Sequence, residues 1–389
     1  MVAEKIQQGV DMHSHLKKMA SVVQDAPSVL KDIKARNKKK MIGYFHPVFP
    51  EEILYAAGLH PVQLYPGLQE PITLADDHLQ LYMCAYLRAQ WDQILKGKHT
   101  YLDGAIIPRS CEAVTFLYQT WKRHNPFDFI DYLNIPWKKS ANTIQFFTKE
   151  LKRVKKNLES FIHGEISSNA LADAIVLHNK NRSLLKTACQ LRNTQNPPFS
   201  THDIFNMVMS GFVLDKLEHT QMMAELLDPV KETTVDAFSE PQPVRLLLSG
   251  GCILDTRILD IIETAGAVVV ADDFNNGARS FQPVVAEGKD PLESLATAYA
   301  TVPCGFNTAI GDRFSFLADA ISQQAVNGVL FAVNRNCETE KFDYPILDQK
   351  IREHFKIPTM LIETDYLCAM GPMQTRVEAF IEMIGSKES

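Results

Sequence analysis

Residues 245–273, RLLLSGGCILDTRILDIIETAGAVVVADD, decide the fold. They hold an apolar run, a double glycine, an amphipathic stretch and a second apolar run ending in two aspartates. Short unbroken apolar runs suit strands buried on both faces, and the stretch between them has its apolar residues at helical spacing. The pattern predicts a strand and turn over 245–251, a helix over 254–265 and a strand over 267–273. Two strands joined through a helix run parallel, which is the unit of an α/β fold. Further along, 313–325 reads as helix, 326–334 and 357–365 as strands, and Gln374–Ile384 as the last helix.

The N-terminal part repeats this style. Residues 1–37 read as helix and Lys40–Phe45 as a strand leading into a turn at His46–Pro47. A short helix over 50–58 follows, then a strand within HPVQLYPG (60–67). A helix through the seventies and eighties is expected to carry Cys84. Strands follow at 102–108 and 127–136. From Ser140 to about Asp236 the periodicity is helical almost throughout. The expected fold class is therefore α/β, with two parallel-sheet α/β domains of similar architecture and a helical middle segment. The boundaries fall at 1–38 (helical), 39–139 (first α/β), 140–238 (helical) and 239–389 (second α/β).

Composition narrows the function. The 389 residues are 46% hydrophobic and 22% charged, with a formal net charge of −6. No sustained basic face exists for nucleic acid, and no apolar stretch approaches the ~20 residues of a membrane span. The polar, amphipathic N-terminus lacks the apolar core of a signal peptide, so a cytoplasmic protein is expected. The seven cysteines are scattered and none has CxxC spacing, which argues against a disulfide scaffold or a zinc ribbon.

Three of these cysteines lie at the ends of apolar runs: Cys84 in LYMCAYLR, Cys111 after LDGAIIPRS, and Cys337 after VLFAVNRN. A strand end is where open α/β sheets build ligand sites, and soft thiolates select iron–sulfur clusters or zinc. Three ligands would leave one coordination position open. The alternative is that all three are buried small hydrophobes. Cys252, in GGCILD, could approach the same cleft, although packing is its expected use, and Cys189, Cys304 and Cys368 read as structural. Glu52 and His46, near the first strand's end, are acid–base candidates. Glu52 can equally be an ordinary carboxylate at a helix N-terminus. Asp272, Asp273, Asn275, Gly277 and Arg279 form a polar loop that could meet a substrate phosphate, or could be an ordinary turn.

Five segments, GYFHPVFPEEILYAAGLHPV, LDGAIIPRSCEAV, GAVVVADDFNNGARSF, NGVLFAVNRNCETEKFDYP and IPTMLIETDY, precede a closing QTRVEAFIEMI. In this order they resemble subunits of the 2-hydroxyacyl-CoA dehydratase and benzoyl-CoA reductase family over nearly the whole chain. The resemblance implies a [4Fe-4S] cluster held by Cys84, Cys111 and Cys337 between the two α/β units. It also implies a homologous second subunit and an ATP-hydrolysing iron–sulfur activator, consistent with the lack of a phosphate-binding P-loop here. The implied activity is single-electron transfer into a CoA-thioester carbonyl. A benzoyl-CoA reductase-type, dearomatising subunit is the first expectation and a 2-hydroxyacyl-CoA dehydratase subunit the alternative. A non-catalytic electron-relay subunit is the rival of another class. The surroundings of Cys337 depart from the family's usual Phe-Cys-Asp-Pro, reading Asn336-Cys337-Glu338-Thr339.

Overall fold

The computed structural model describes residues 2–46, 48–65, 70–136, 140–194, 197–230, 243–305 and 310–386. The expected domain boundary near 238 and the end of the helical stretch lie outside the described residues, as does Pro47.

Eight strands form two parallel sheets. The first contains β1 (Met41–Tyr44), β2 (His60–Gln63), β3 (Gly104–Pro108) and β4 (Phe129–Leu133), in the order β2-β1-β3-β4. The second contains β5 (Val244–Ser249), β6 (Ala267–Asp273), β7 (Gly328–Asn334) and β8 (Thr359–Thr364), in the order β6-β5-β7-β8. In each unit the strand order is second, first, third, fourth. Each therefore has a switch point where connections leave in opposite directions, beside the first and third strands.

Side chains alternate between faces along a strand, and here both faces are buried. On β1, Met41 packs into one core while Ile42 and Tyr44 pack into another; on β3, Ala105 and Ile107 oppose Ile106. On β7, Val329, Phe331 and Val333 oppose Leu330 and Ala332. The helical middle is part of this packing. Phe147, Leu151, Val154 and Leu158 of helix Ala141–Ile162 share a core with Ile42 and Ile106, and Met207, Met223 and Leu226 join the core on the opposite face. Leu292, Leu295 and Tyr299, on helix Pro291–Tyr299, lie between β6 and β7 in the chain yet also join the first sheet's core. No helix among the described residues is long and apolar enough to cross a membrane.

One expected helix is divided. In place of a helix through the seventies, a single 3-10 turn covers Ala75–Asp77, and the helix begins at Ala85. Asp92 explains the change: its buried carboxylate accepts the backbone N–H groups of Thr73, Leu74 and Ala75 at 2.8, 2.6 and 3.0 Å. Those donors are thereby satisfied without helix. Cys84 becomes the N-cap of the helix instead of a residue within it.

The double glycine after β5 permits close packing. A Cβ at Gly250 would fall 2.0 Å from the backbone oxygen of Ala332 on β7. Gly250→Ala is expected to destabilise the fold by about 1–3 kcal/mol, because backbone must shift to admit the methyl. A urea midpoint identical to that of the parent, at equal slope, would contradict this packing.

Candidate active site: four thiols at two facing switch points

Open α/β sheets bind ligands beyond the carboxyl ends of their strands at the switch point. In this molecule the two switch points open on one cavity of about 310 Å³. The first unit contributes His46 after β1 and Ser110 and Cys111 after β3; the second contributes Gly251 and Cys252 after β5 and Asn336 and Cys337 after β7. Cys84 completes the wall. The mouth is apolar and exposed, with Tyr82, Phe116 and Phe342 at 70%, 61% and 78% exposure.

The three cysteines singled out from sequence share one local design. Cys84, Cys111 and Cys337 are the N-cap residues of helices Ala85–Leu95, Glu112–His124 and Glu338–Phe355. None of the three sulfurs makes a capping hydrogen bond, but first-turn backbone N–H groups act on each to lower its pKa: Tyr86 and Leu87 for Cys84, Val114 and Ala113 for Cys111, and Glu340 for Cys337. Such donors and the helix dipole favour thiolate. Burial works the other way and is the larger effect. It pushes Cys84 up to about 11, raises Cys111, and raises Cys337 well above its ordinary value. A cation within the cavity would reverse that balance.

The donor chemistry suits an iron–sulfur cluster: soft sulfurs, helix N-termini beside them and one shared, largely apolar cavity. Among the described residues, no three His, Cys, Asp or Glu side chains converge closely enough to hold a single metal ion.

His46 also reaches this cavity. Its backbone is left-handed (φ 69°) and its Nε2 lies 3.5 Å from Cys304 Sγ. Burial first, then the Arg279 charge, lower its pKa to about 3, which keeps the imidazole neutral near pH 7. Asn275 lines the cavity as well, with its Oδ1 accepting from Arg279 Nη1 at 3.2 Å.

The other candidates lie elsewhere. Glu52 is fully buried and outside the cavity wall; its carboxylate accepts from Arg182 Nη2 at 2.6 Å and Tyr299 Oη at 2.8 Å. Arg279 is equally buried, donating to Asp273 at 2.6 and 2.8 Å and to Glu340 at 3.1 Å. Arg313 joins the same group through Asp273, Glu340 and Asp343 at 3.3, 2.5 and 2.8 Å. Gly277 packs against Asp272, whose carboxylate accepts the Ala278 N–H at 2.6 Å and pairs with Arg192 at 3.1 Å. The Asp–Arg loop is thus internally partnered, with only Asn275 of its proposed residues at the cavity.

With this geometry in place, relatives can be weighed. A model of the 2-hydroxyglutaryl-CoA dehydratase, D-component family matches residues 47–384, a span that takes in every strand but β1 and all four cavity cysteines. The chain belongs to this family. Among its relatives, the (R)-phenyllactyl-CoA dehydratase beta subunit of Clostridium sporogenes is 26% identical over 89% of this chain and 92% of its own length. The lactoyl-CoA dehydratase subunit beta of Anaerotignum propionicum is 24% identical over 95% and 98%. A benzoyl-CoA reductase subunit from Thauera aromatica is 25% identical over 86% and 88%. These identities are too close to separate dehydratase from ring reductase, so the family expectation from sequence holds while its finer branch does not follow from them.

The structure places Cys252 on the cavity wall, as the sequence allowed, and sequence reasoning overlooked Glu340 and Arg313. Cys252 carried the same signal as Cys111 and Cys337, a cysteine just past an apolar strand. Glu340 and Arg313 lie on helices, where a charged residue looks like a solvated face until tertiary packing places it inside.

Proposed function

We propose that this chain is the iron–sulfur subunit of a multi-subunit, oxygen-sensitive CoA-thioester enzyme of the 2-hydroxyacyl-CoA dehydratase type. The observation that carries the proposal is the set of three N-cap cysteines, Cys84, Cys111 and Cys337, on one cavity between the two switch points. They would hold a [4Fe-4S] cluster, whose chemistry is one-electron transfer at low potential. The chain's own part is to supply thiolates, exclude water through the buried walls, and hold an uncharged His46 on the cavity. The exposed aromatic mouth of Tyr82, Phe116 and Phe342 suits docking of a protein partner, either the homologous subunit or the ATP-hydrolysing activator. The relatives include dehydratase beta subunits and a benzoyl-CoA reductase subunit at similar identity, so the dearomatising reaction stands as a second reading beside dehydration.

The test is anaerobic purification of the parent and of Cys84→Ser, Cys111→Ser and Cys337→Ser, with iron and sulfide determination. The parent should hold about four irons and each variant less than half of that. A parent prepared strictly without air and free of iron would overturn the proposal. Reconstitution with the second subunit and activator separates the branches by electron counting. Dehydration of a 2-hydroxyacyl-CoA returns its electron, so enoyl-CoA accumulates without stoichiometric reductant. Ring reduction consumes two electrons for every aryl-CoA converted.

A further inference from the structure

The cavity contains one more sulfur than the three-cysteine arrangement requires. Cys252 lies on its wall with Cys84, Cys111 and Cys337, and is only 8% exposed. Its place parallels that of Cys337 in offset, each being the third residue past its strand, although Cys252 caps no helix. Cys252 follows β5 and Cys337 follows β7, the two strands that flank the second unit's switch point. The loops lie against each other: a Cβ at Gly251, next to Cys252, would be 3.9 Å from Cys337 Sγ. The Cys252 thiol is also held in orientation, lying 3.5 Å from Asn334 Oδ1, whose own amide donates to Thr364 Oγ1 at 2.9 Å. Cys84 and Cys337 both act electrostatically on Cys252, as expected for sulfurs sharing one small space.

The other three cysteines differ. Cys189 and Cys368 are absent from the cavity wall, and the fully buried Cys304 packs behind it against His46 and Arg279. Cys252 is therefore the one remaining thiol, among the described residues, that opens on the cavity.

We infer that Cys252 is the fourth sulfur donor to the metal centre, closing the coordination position that three cysteines leave open. The inference rests on the iron–sulfur reading above. Ligation breaks the Cys252 S–H bond, sends the proton to solvent and forms a sulfur–iron bond, with no change in oxidation state. A centre closed by four thiolates passes electrons and offers no corner to an acyl group. In this subunit it would serve as a relay.

The experiment uses the anaerobic full-length parent beside Cys252→Ser and Cys252→Ala, with iron and sulfide measured before and after mild ferricyanide oxidation. Electron paramagnetic resonance spectra are recorded with and without added cyanide. The parent should retain its iron and show no cyanide shift. The variants should lose about one iron in four, acquire a three-iron signal, and respond to cyanide. A parent whose spectrum shifts with cyanide, or that loses iron as readily as the variants, overturns the assignment of Cys252 even if a variant misfolds. A parent with no iron overturns the iron–sulfur reading itself, so the two failures are distinguishable.

Discussion

Replacing Glu340 with alanine should destabilise the fold by about 3–5 kcal/mol. Glu340 is 2% exposed and takes both the Arg279 and Arg313 guanidinium groups. Burial alone would raise its pKa, yet the two arginines outweigh that and leave it below the ordinary carboxylate value. Without it, two buried cations share Asp273 and the half-buried Asp343, and the shortfall is an uncompensated charge in a low-dielectric interior. Glu340 also lies one turn into the helix that Cys337 caps, so the ion network anchors the end of that helix against β6 and the Asp273 loop. Denaturant unfolding of the metal-free protein reads the stability loss. Glu340→Gln, which keeps an acceptor but removes the charge, should fall between the parent and Glu340→Ala. A Glu340→Ala midpoint within about 1 kcal/mol of the parent would mean that the network is dispensable.

The contrast between what the sequence disclosed and what it concealed follows from this site. Strands such as LLLS and VLFAVN are legible because a strand buried on both faces must be apolar at every position, whatever packs on it. Cys111 and Cys337 were readable for the same reason, since each follows such a run. Helix Pro291–Tyr299 carried a start signal, Asp290 capping with Pro291 at the first position and Glu293 in the first turn, yet its apolar face is short. Helix Glu338–Phe355 was masked by Pro345, which it accommodates within its length. The polar loop after β6 is different in kind. Asp273 and Arg279 have the chemistry of a phosphate site, and only the arrival of Glu340 and Arg313 from distant helices turns them into interior partners. Glu52 was likewise ambiguous, because Arg182 and Tyr299, 130 and 247 residues away, complete its surroundings. Charged residues report their role through long-range pairing, which periodicity does not encode.

Stability should fall steeply on acidification from pH 7 to pH 5, before most carboxylates titrate. Three buried histidines set the window. Burial lowers His46 to about 3, His99 to about 4 and His219 to about 3. His219 shows why the neutral form is locked in: its Nε2 lies 2.9 Å from the Met207 carbonyl and its Nδ1 2.8 Å from the Asn181 amide nitrogen. Nε2–H donates and Nδ1 accepts, so a second ring proton would face a donor. In the unfolded chain these residues titrate near the ordinary pKa of 6.5. A folded pKa below the unfolded one means that the unfolded state binds more protons, so stability is complete above about pH 6.5 and declines below it. At pH 5 each histidine contributes a loss of roughly 2 kcal/mol, and the three together about 6 kcal/mol, comparable with the whole net stability of a typical domain. Glu51 acts later. Burial would raise its pKa, but Lys216 and His178 outweigh burial and hold it near 2, so its contribution persists until the pH falls below about 4.5. Urea midpoints between pH 7.5 and 4.5 should therefore fall first through the histidine range. His219→Asn and His99→Asn should flatten that slope while lowering stability at neutral pH. A midpoint at pH 5 equal to that at pH 7.5 would show that these imidazoles are protonated in the folded state, or lie nearer to water than their contacts imply.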